Sequence, residues 1–174
     1  DLPLTVQLRS DPSIAAAQLA YQDACGQRQS LQVGALLQDL LERKTGRVFE
    51  RVLPNGTGSP SVPDGYVDVS LGPASVDLAI TRKANKSYTA MVTVGLDFAY
   101  RAADGVVLYS KKIQSIGRGD VEVTDASCEV KGLDAIAKEA IGYVTDGMAA
   151  YLGTSTKIGE AAQARKASGS NPAG

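Results

Sequence analysis

The sequence contains no histidine and no tryptophan, and only 5% of its 174 residues are aromatic. Histidine is the most frequent general base of enzymes, the most frequent metal ligand and the side chain that titrates near neutral pH. Its absence argues against an ordinary hydrolase, and no nucleophile elbow, phosphate loop or dinucleotide fingerprint is present. We therefore expect no catalytic residues, no metal site and no cofactor, and predict that the chain is not an enzyme.

The sequence also lacks an excess of charge of either sign and any long apolar run. Lysine and arginine total 18 against 19 aspartates and glutamates, which leaves a net charge of -1. No overall electric field would then draw the chain to nucleic acid or to an anionic membrane. No stretch reaches the roughly 18 consecutive apolar residues of a transmembrane helix. Any electrostatic function should be local, and nucleic acid is not an expected partner.

Cysteine is scarce as well, and Cys25 and Cys128 fit no zinc or redox spacing. A bridge between them would close a loop of 128 minus 25, or 103, residues. In an oxidising compartment such a loop contributes up to roughly 4 to 5 kcal/mol of stability on the chain-entropy estimate. The alternative is two buried free thiols. We favour the disulfide.

Apolar periodicity in the first third of the chain predicts a strand followed by two helices. Apolar residues alternate with others from Leu2 to Leu8, as in a half-buried strand. Residues 13–25 are rich in Ala, Gln and Leu and predict a helix. Ser30 is a candidate N-cap for a second helix whose leucines share one face. A short strand around 48–52 should follow, before a loop rich in Pro, Gly and Ser.

Residues 66 to 116 alternate with a period of two and predict a long antiparallel meander. The alternation changes parity near Gly72-Pro73, which indicates a bulge. Asp104-Gly105 is a preferred pair for a type I′ hairpin turn, so paired residue numbers in the hairpin should sum to 209. This register places Leu96 against Ile113 on the apolar face. Lys111 is the only charged residue that the register places on that face.

A helical stripe of apolar residues from Leu133 to Leu152 predicts the last core-facing helix. The predicted fold class is α+β: a two-layer sandwich in which a mainly antiparallel sheet with a long β-meander carries helices packed on one face. Residues 1–153 should form a single domain. Residues 154–174 lack a core face and end in a Ser, Asn, Pro and Gly run, so we expect a flexible C-terminal tail.

Basic residues cluster at one end of the predicted hairpin. Arg82, Lys83 and Lys86 precede the strand that begins near residue 88, and the register brings Arg118 opposite Met91 at the same end. The window 82–118 holds seven basic and two acidic residues, a local charge of 7 minus 2, or +5. This rim is a candidate site for an anion or an acidic partner. The simpler interpretation is a solvated rim that keeps strand edges from aggregating.

The order of these elements resembles small bacterial periplasmic lipoproteins, including the lipopolysaccharide-assembly and curli-secretion lipoproteins. The segments that carry the resemblance span most of residues 2 to 153 and are "LPLTVQL", "VGALLQDLLERKTG", "YTAMVTVGLDFAYRAADGVVLYSK" and "GLDAIAKEAIGYVTDGMAAYLG". The resemblance implies a non-catalytic subunit or accessory of an outer-membrane complex, whose partner is another envelope protein or a further copy of the chain. It also implies a periplasmic location, with an outer-membrane anchor only if a lipidated cysteine lies upstream of Asp1. The alternative is a periplasmic domain that binds an anionic lipid, lipopolysaccharide or a glycan through the basic rim.

Overall fold

A computed structural model describes residues 1–53, 62–82, 87–124 and 127–170, which form an α+β fold that is 36% helix and 48% strand. The strands are β1 (Leu2–Ser10), β2 (Gln18–Gln22), β3 (Arg28–Gln32), β4 (Phe49–Leu53), β5 (Gly65–Arg82), β6 (Ser87–Ala102), β7 (Val107–Val123) and β8 (Val130–Lys131). The helices are α1 (Pro12–Ala15), α2 (Gly34–Val48), α3 (Leu133–Thr154) and α4 (Thr156–Ser170). The predicted fold class is confirmed.

Six strands form one curled sheet in the order β4-β1-β5-β6-β7-β8, and β2 and β3 form a separate hairpin. Strand β1 is parallel to both neighbours, β4 and β5, whereas the other three pairs are antiparallel. Parallel strands need a crossover connection. Here the chain between β1 and β4 supplies one that contains α2.

The helices cover one face of the sheet, which we call the inner face. Along β6 the inner face is apolar and buried, from Ala90 to Tyr100 at every second residue. Helix α3 lies across β6 and β7, α2 packs against α3, and α4 packs against β1. The opposite, outer face carries no helix among the described residues. The prediction of two layers with helices on one face is confirmed.

The hairpin register is confirmed, but the predicted turn type is wrong. Tyr100 pairs with Tyr109 and Leu96 with Ile113, as the sum of 209 requires. At the tip, however, the Gly105 N–H donates to Ala102 O at 2.9 Å and only Gly105 has a positive φ, +90°. This is a three-residue loop with a glycine bulge rather than a type I′ turn. The Asp104 carboxylate accepts from the Val106 N–H at 3.0 Å, which favours this loop.

The bulge predicted near Gly72-Pro73 is present between Leu71 and Ala74. Pro73 packs closely against Gly95 of β6, because a Cβ added to Gly95 would lie 2.6 Å from Pro73 Cδ. The bulge explains how β5 changes parity and still presents apolar side chains to the inner face.

The helix predicted over residues 13–25 is wrong. Only α1 is helical there, and the following residues form the β2–β3 hairpin. Ala17 and Leu19 are buried and Tyr21 is half-buried, so burial alternates with the period of a strand. The prediction followed the alanine-rich composition, which favours a helix, instead of this alternation. Ser30 lies in β3 and caps nothing, since α2 begins at Gly34 without a side-chain cap.

The disordered tail expected from residue 154 is also wrong over the part that the structure describes. Residues 156–170 form α4, and Ile158 and Ala162, one helical turn apart, are both buried. Arg165 Nε donates to the Asp64 carboxylate at 2.9 Å. Two apolar residues on one face are too weak a pattern to predict a core-facing helix from sequence. In the folded chain they pack where α4 contacts β1. Residues 171–174 lie outside the described chain.

Cys25 and Cys128 form the predicted disulfide, with their Cα atoms 5.6 Å apart. It joins the turn of the β2–β3 hairpin to the connection between β7 and β8. Because the hairpin belongs to a separate sheet, the bridge ties it covalently to the far end of the main sheet.

Candidate functional site

The structure places only part of the predicted basic rim. Arg82 ends β5, where the register pairs it with Ser87 at the start of β6. Arg118 lies opposite Met91, as predicted, and is exposed. Lys83 and Lys86 lie outside the described residues. The rim as a binding site therefore stays a prediction.

The surroundings of Arg118 contain both signs of charge. The register aligns Arg118 with Met91 and Asp77 in one row across three strands. Asp120 follows Arg118 on the same face of β7, and its carboxylate lies 3.4 Å from the Thr89 hydroxyl. Asp77 and Asp120 lie on the same face of the sheet as Arg118, so this end of the sheet carries both signs of charge.

A trough of about 680 Å³ crosses the outer face of β1, β5, β6 and β7. On this face the Asp68 carboxylate accepts from two arginines, from Arg9 Nε at 2.5 Å and from Arg101 Nε at 3.0 Å. The hydrogen bond to Asp68 raises the pKa of Arg9 above its ordinary value. The Arg9 guanidinium also lies 4.1 Å from the centre of the Tyr66 ring. These side chains bind one another and link three adjacent strands.

The trough holds both signs of charge. Its charged lining residues are Arg9, Lys111, Lys112, Asp11, Asp68 and Asp97, but the Lys111 ammonium contacts Tyr151 of α3 on the inner side of the sheet. Asp97 lies 3.9 Å from Lys112 across β6 and β7, the pair that the hairpin register predicted. Because the Asp68 carboxylate is already paired with two arginines, the trough suits a structural network better than the recognition of a single charged ligand.

The edge of β7 is the more accessible surface. Strand β7 pairs with β6 along almost its whole length, but with β8 only at Glu122 and Val123. In the described ranges, residues 107–121 therefore have a strand on one side only, and we call their free side the β7 edge. Every second residue there directs its backbone N–H and C=O away from β6.

Exposed apolar side chains lie beside this edge. The described chain has six large hydrophobic residues that are exposed: Val62, Val106, Val107, Ile116, Tyr143 and Tyr151. Val106, Val107 and Ile116 lie in or next to β7, and Tyr143 and Tyr151 lie on α3. These five residues are called the edge patch below.

Helix α3 lies next to β7 and runs antiparallel to it. A Cβ on Gly117 would lie 2.5 Å from Ile136 O, and a Cβ on Gly147 would lie 3.4 Å from Ile113 Cδ1. Tyr143 and Tyr151 are one turn before and one turn after Gly147, so all three share one side of the helix. Near Tyr151 a cleft of about 520 Å³ separates the start of β7 from the junction of α3 and α4.

Polar contacts hold both tyrosines of the edge patch. The Tyr143 hydroxyl donates to the Glu139 carboxylate at 3.0 Å, which raises the pKa of Tyr143. The Lys111 ammonium lies 3.8 Å from the centre of the Tyr151 ring. Lys111, the residue out of character on the apolar face, thus reaches past the sheet to an aromatic partner.

Sequence reasoning did not identify the edge patch. Val107 and Ile116 fit the alternation of the predicted strand, which does not show that they are exposed. Tyr143 and Tyr151 are eight residues apart and do not form an obvious cluster in sequence. The available signal was the i, i+4, i+8 spacing of Tyr143, Gly147 and Tyr151 on a helix whose core stripe is otherwise aliphatic.

The described residues offer neither a metal cluster nor a membrane-spanning helix. In the ranges that the structure describes, no group of three or more His, Cys, Asp or Glu side chains could hold a metal ion. No helix in the same ranges is both long and apolar enough to span a membrane.

Comparison with known proteins gives a likeness of fold. No family model matches the chain, and no curated protein matches its sequence. Protein XCC0632 from Xanthomonas campestris, a DUF330 protein, has a TM-score of 0.58 at 13% identity, covering 94% of this chain and 89% of that one. A minor lipoprotein from Acinetobacter baumannii follows at 0.48, with 7% identity and coverage of 86% and 90%.

A rare lipoprotein B from Shewanella oneidensis has a TM-score of 0.42 at 11% identity, covering 96% of this chain and 99% of that one. At 13% identity, the likeness to XCC0632 is one of fold.

Proposed function

We propose that the chain is a non-catalytic component of the bacterial cell envelope that binds another envelope protein, as a subunit or accessory of an outer-membrane complex. The observation that carries the proposal is the edge patch beside the β7 edge. An unpaired strand edge flanked by exposed apolar side chains can take up a segment of another chain. The lack of histidine and the mutual pairing of charges on the outer face favour binding over catalysis.

The disulfide supports the envelope as the compartment. Structural disulfides persist in oxidising compartments such as the periplasm and are rare in the bacterial cytosol. The Cys25–Cys128 bridge ties the separate hairpin to the main sheet. Lipid anchorage upstream of Asp1 would place the domain at a membrane surface while leaving its β7 edge free.

The test uses the full-length gene product in its source bacterium. Cells are fractionated, free thiols are blocked by alkylation before and after reduction, and the envelope fraction is run on a native gel. We expect the chain in the envelope fraction, with both cysteines alkylated only after reduction, in a species larger than the 18.1 kDa chain. A Cys25→Ser, Cys128→Ser variant is the control for the thiol assay. A cytosolic chain with free thiols, or a monomer in the envelope fraction, would overturn the proposal.

A further inference from the structure

The β7 edge has the features of a binding site for one additional strand. Residues 107–121 are paired on one side only in the described chain, and no proline interrupts them. A free edge of this length presents a row of backbone donors and acceptors to another extended segment. We infer that the β7 edge takes an extended segment of a partner protein as a seventh strand of the sheet, a segment that alternates apolar and acidic residues. This inference rests on the proposed function and specifies how the partner is held.

The neighbouring helix supplies a surface for alternate side chains of the added strand. Tyr143 and Tyr151 are eight residues apart, which is about 12 Å along a helix. In a strand, residues j and j+4 are about 13 Å apart on the same face. Two apolar side chains of the segment can therefore each meet a tyrosine ring.

Charge selects the chemistry of the segment. The outer face of β7 between residues 107 and 120 carries Lys112 and Arg118 against Asp120, a charge of 2 minus 1, or +1. The Lys112 side chain is 87% exposed, and its ammonium lies 3.9 Å from Asp97. Acidic side chains on the outer face of the added strand would lie opposite Lys112 and Arg118, as cross-strand pairs of opposite charge.

The same charges disfavour a second copy of the chain as the occupant. Antiparallel pairing of two β7 edges would bring the basic residues of one copy close to those of the other, which costs free energy. The other edge of the sheet, β4, has five residues and carries Glu50 and Arg51, which balance each other. It therefore offers a short and electrically neutral segment to β7. A hetero-partner with acidic residues fits better.

The test uses the purified chain and synthetic peptides of about ten residues, a length that spans most of the edge. Peptides of alternating valine and glutamate, alternating valine and lysine, and valine and glutamate with alternate backbone nitrogens methylated are titrated by calorimetry. We expect saturable binding of the first peptide only. Methylation removes the donors that pair strands while it keeps the charge, so equal binding of the methylated peptide would overturn the inference.

Variants test the site itself. Lys112→Glu with Arg118→Glu should weaken binding of the valine–glutamate peptide by about tenfold or more, as expected for reversed charge pairs across an interface. Tyr143→Ser with Tyr151→Ser should weaken binding by a similar factor. Lys138→Glu with Lys166→Glu makes the same charge change at exposed positions off the edge and should leave the affinity unchanged. No saturable binding, or equal losses in the control variant, would count against the inference.

Two outcomes separate this inference from the proposed function. If the wild-type chain forms the envelope complex and the Lys112→Glu, Arg118→Glu variant still does, the edge inference fails and the proposed function stands. If the wild-type chain forms no complex, the proposed function fails, whatever peptides bind in vitro. Sedimentation of the purified chain tests whether a second copy occupies the edge. An oligomer that dissociates on the same charge reversal would assign the edge to a second copy and overturn the inference of a different partner protein.

Discussion

The inner and outer faces of β6 differ in what covers them, and therefore in what their side chains contribute. On the inner face Val92, Leu96 and Tyr100 are at most 1% exposed, under α3 and the other helices. On the outer face Asp97 and Arg101 are more than a third exposed and lie in ion pairs. Burial of apolar area stabilises strongly, whereas exposed ion pairs contribute little. The inner face should hold the fold together, and the outer face should tolerate change.

The largest expected effect is on the inner face. Phe98 is 3% exposed and its ring centre lies 6.1 Å from that of Tyr109. Phe98→Ala should lower the free energy of unfolding by about 3 to 5 kcal/mol, because it leaves a cavity under the helices. Urea unfolding followed by circular dichroism measures the change.

The control for Phe98→Ala is Thr93→Ala on the outer face of the same strand. It should cost at most about 1 kcal/mol, since Thr93 is half-buried and outside the helix-covered layer. Equal losses for the two variants would mean that the two faces do not differ in the way described.

The second effect concerns the close contact of α3 with β7. Gly117→Ala would place a Cβ 2.5 Å from Ile136 O and 3.1 Å from Ala140 N. Moving the helix to relieve this overlap should cost about 1 to 3 kcal/mol. Gly142→Ala is the matched change on α3, where nothing lies within 4 Å of the new Cβ, and should stabilise by about 0.5 to 1 kcal/mol through helix propensity. A Gly117→Ala protein as stable as the wild type would show that α3 does not contact β7 in this way.

The smallest effect is expected on the outer face. Asp68→Asn removes the charge that Arg9 and Arg101 share, but the Asp68 side chain is 31% exposed. The loss should be about 1 kcal/mol or less and should shrink as salt is added, because salt screens the wild-type ion pairs. Urea titrations at low and high ionic strength measure both. A loss as large as that of Phe98→Ala would make the arginine–aspartate network part of the core of the fold.

Most of the sheet could be predicted because its strands repeat one local rule. Alternation of apolar and other residues from Tyr88 to Ile113 defines the inner face, and a single turn at Asp104-Gly105 then determines the register. The turn type was missed because the pair Asp104-Gly105 is compatible with both kinds of turn. The Asp104 carboxylate accepts a hydrogen bond from the Val106 N–H, a contact that the sequence does not reveal. The predicted register still holds from the Tyr100–Tyr109 pair onward, because one extra residue in β7, Leu108, offsets the change of register at the tip.

The early hairpin and α4 were missed for a different reason. Residues 13–25 contain enough alanine to suit a helix, and only packing of Leu19 and Tyr21 against the core selects the strand. For α4, propensity was weak and the stabilising contacts, such as Arg165 with Asp64, join residues 101 positions apart. Periodicity and propensity within a short segment cannot predict contacts between residues so far apart in the sequence.

The candidate site was beyond sequence reasoning because exposure is a property of the assembled chain. Val107, Ile116 and Tyr143 have ordinary places in an amphipathic strand and helix. Only the position of α3 beside β7, and a β8 that pairs with β7 for two residues, leave these exposed side chains beside an unpaired strand edge.

The sequence by itself determined the α+β class, the long meander with its register, the presence of two core-facing helices, one after Val33 and one from Leu133, and the partners of the one disulfide. Each depends on periodicity, on a local turn or on the presence of just two cysteines. The tertiary structure decided the parallel placement of β1 between β4 and β5, the β2–β3 hairpin, the helical end of the chain and the open β7 edge. These depend on free energies of packing between distant segments, which exceed the local preferences of each segment alone.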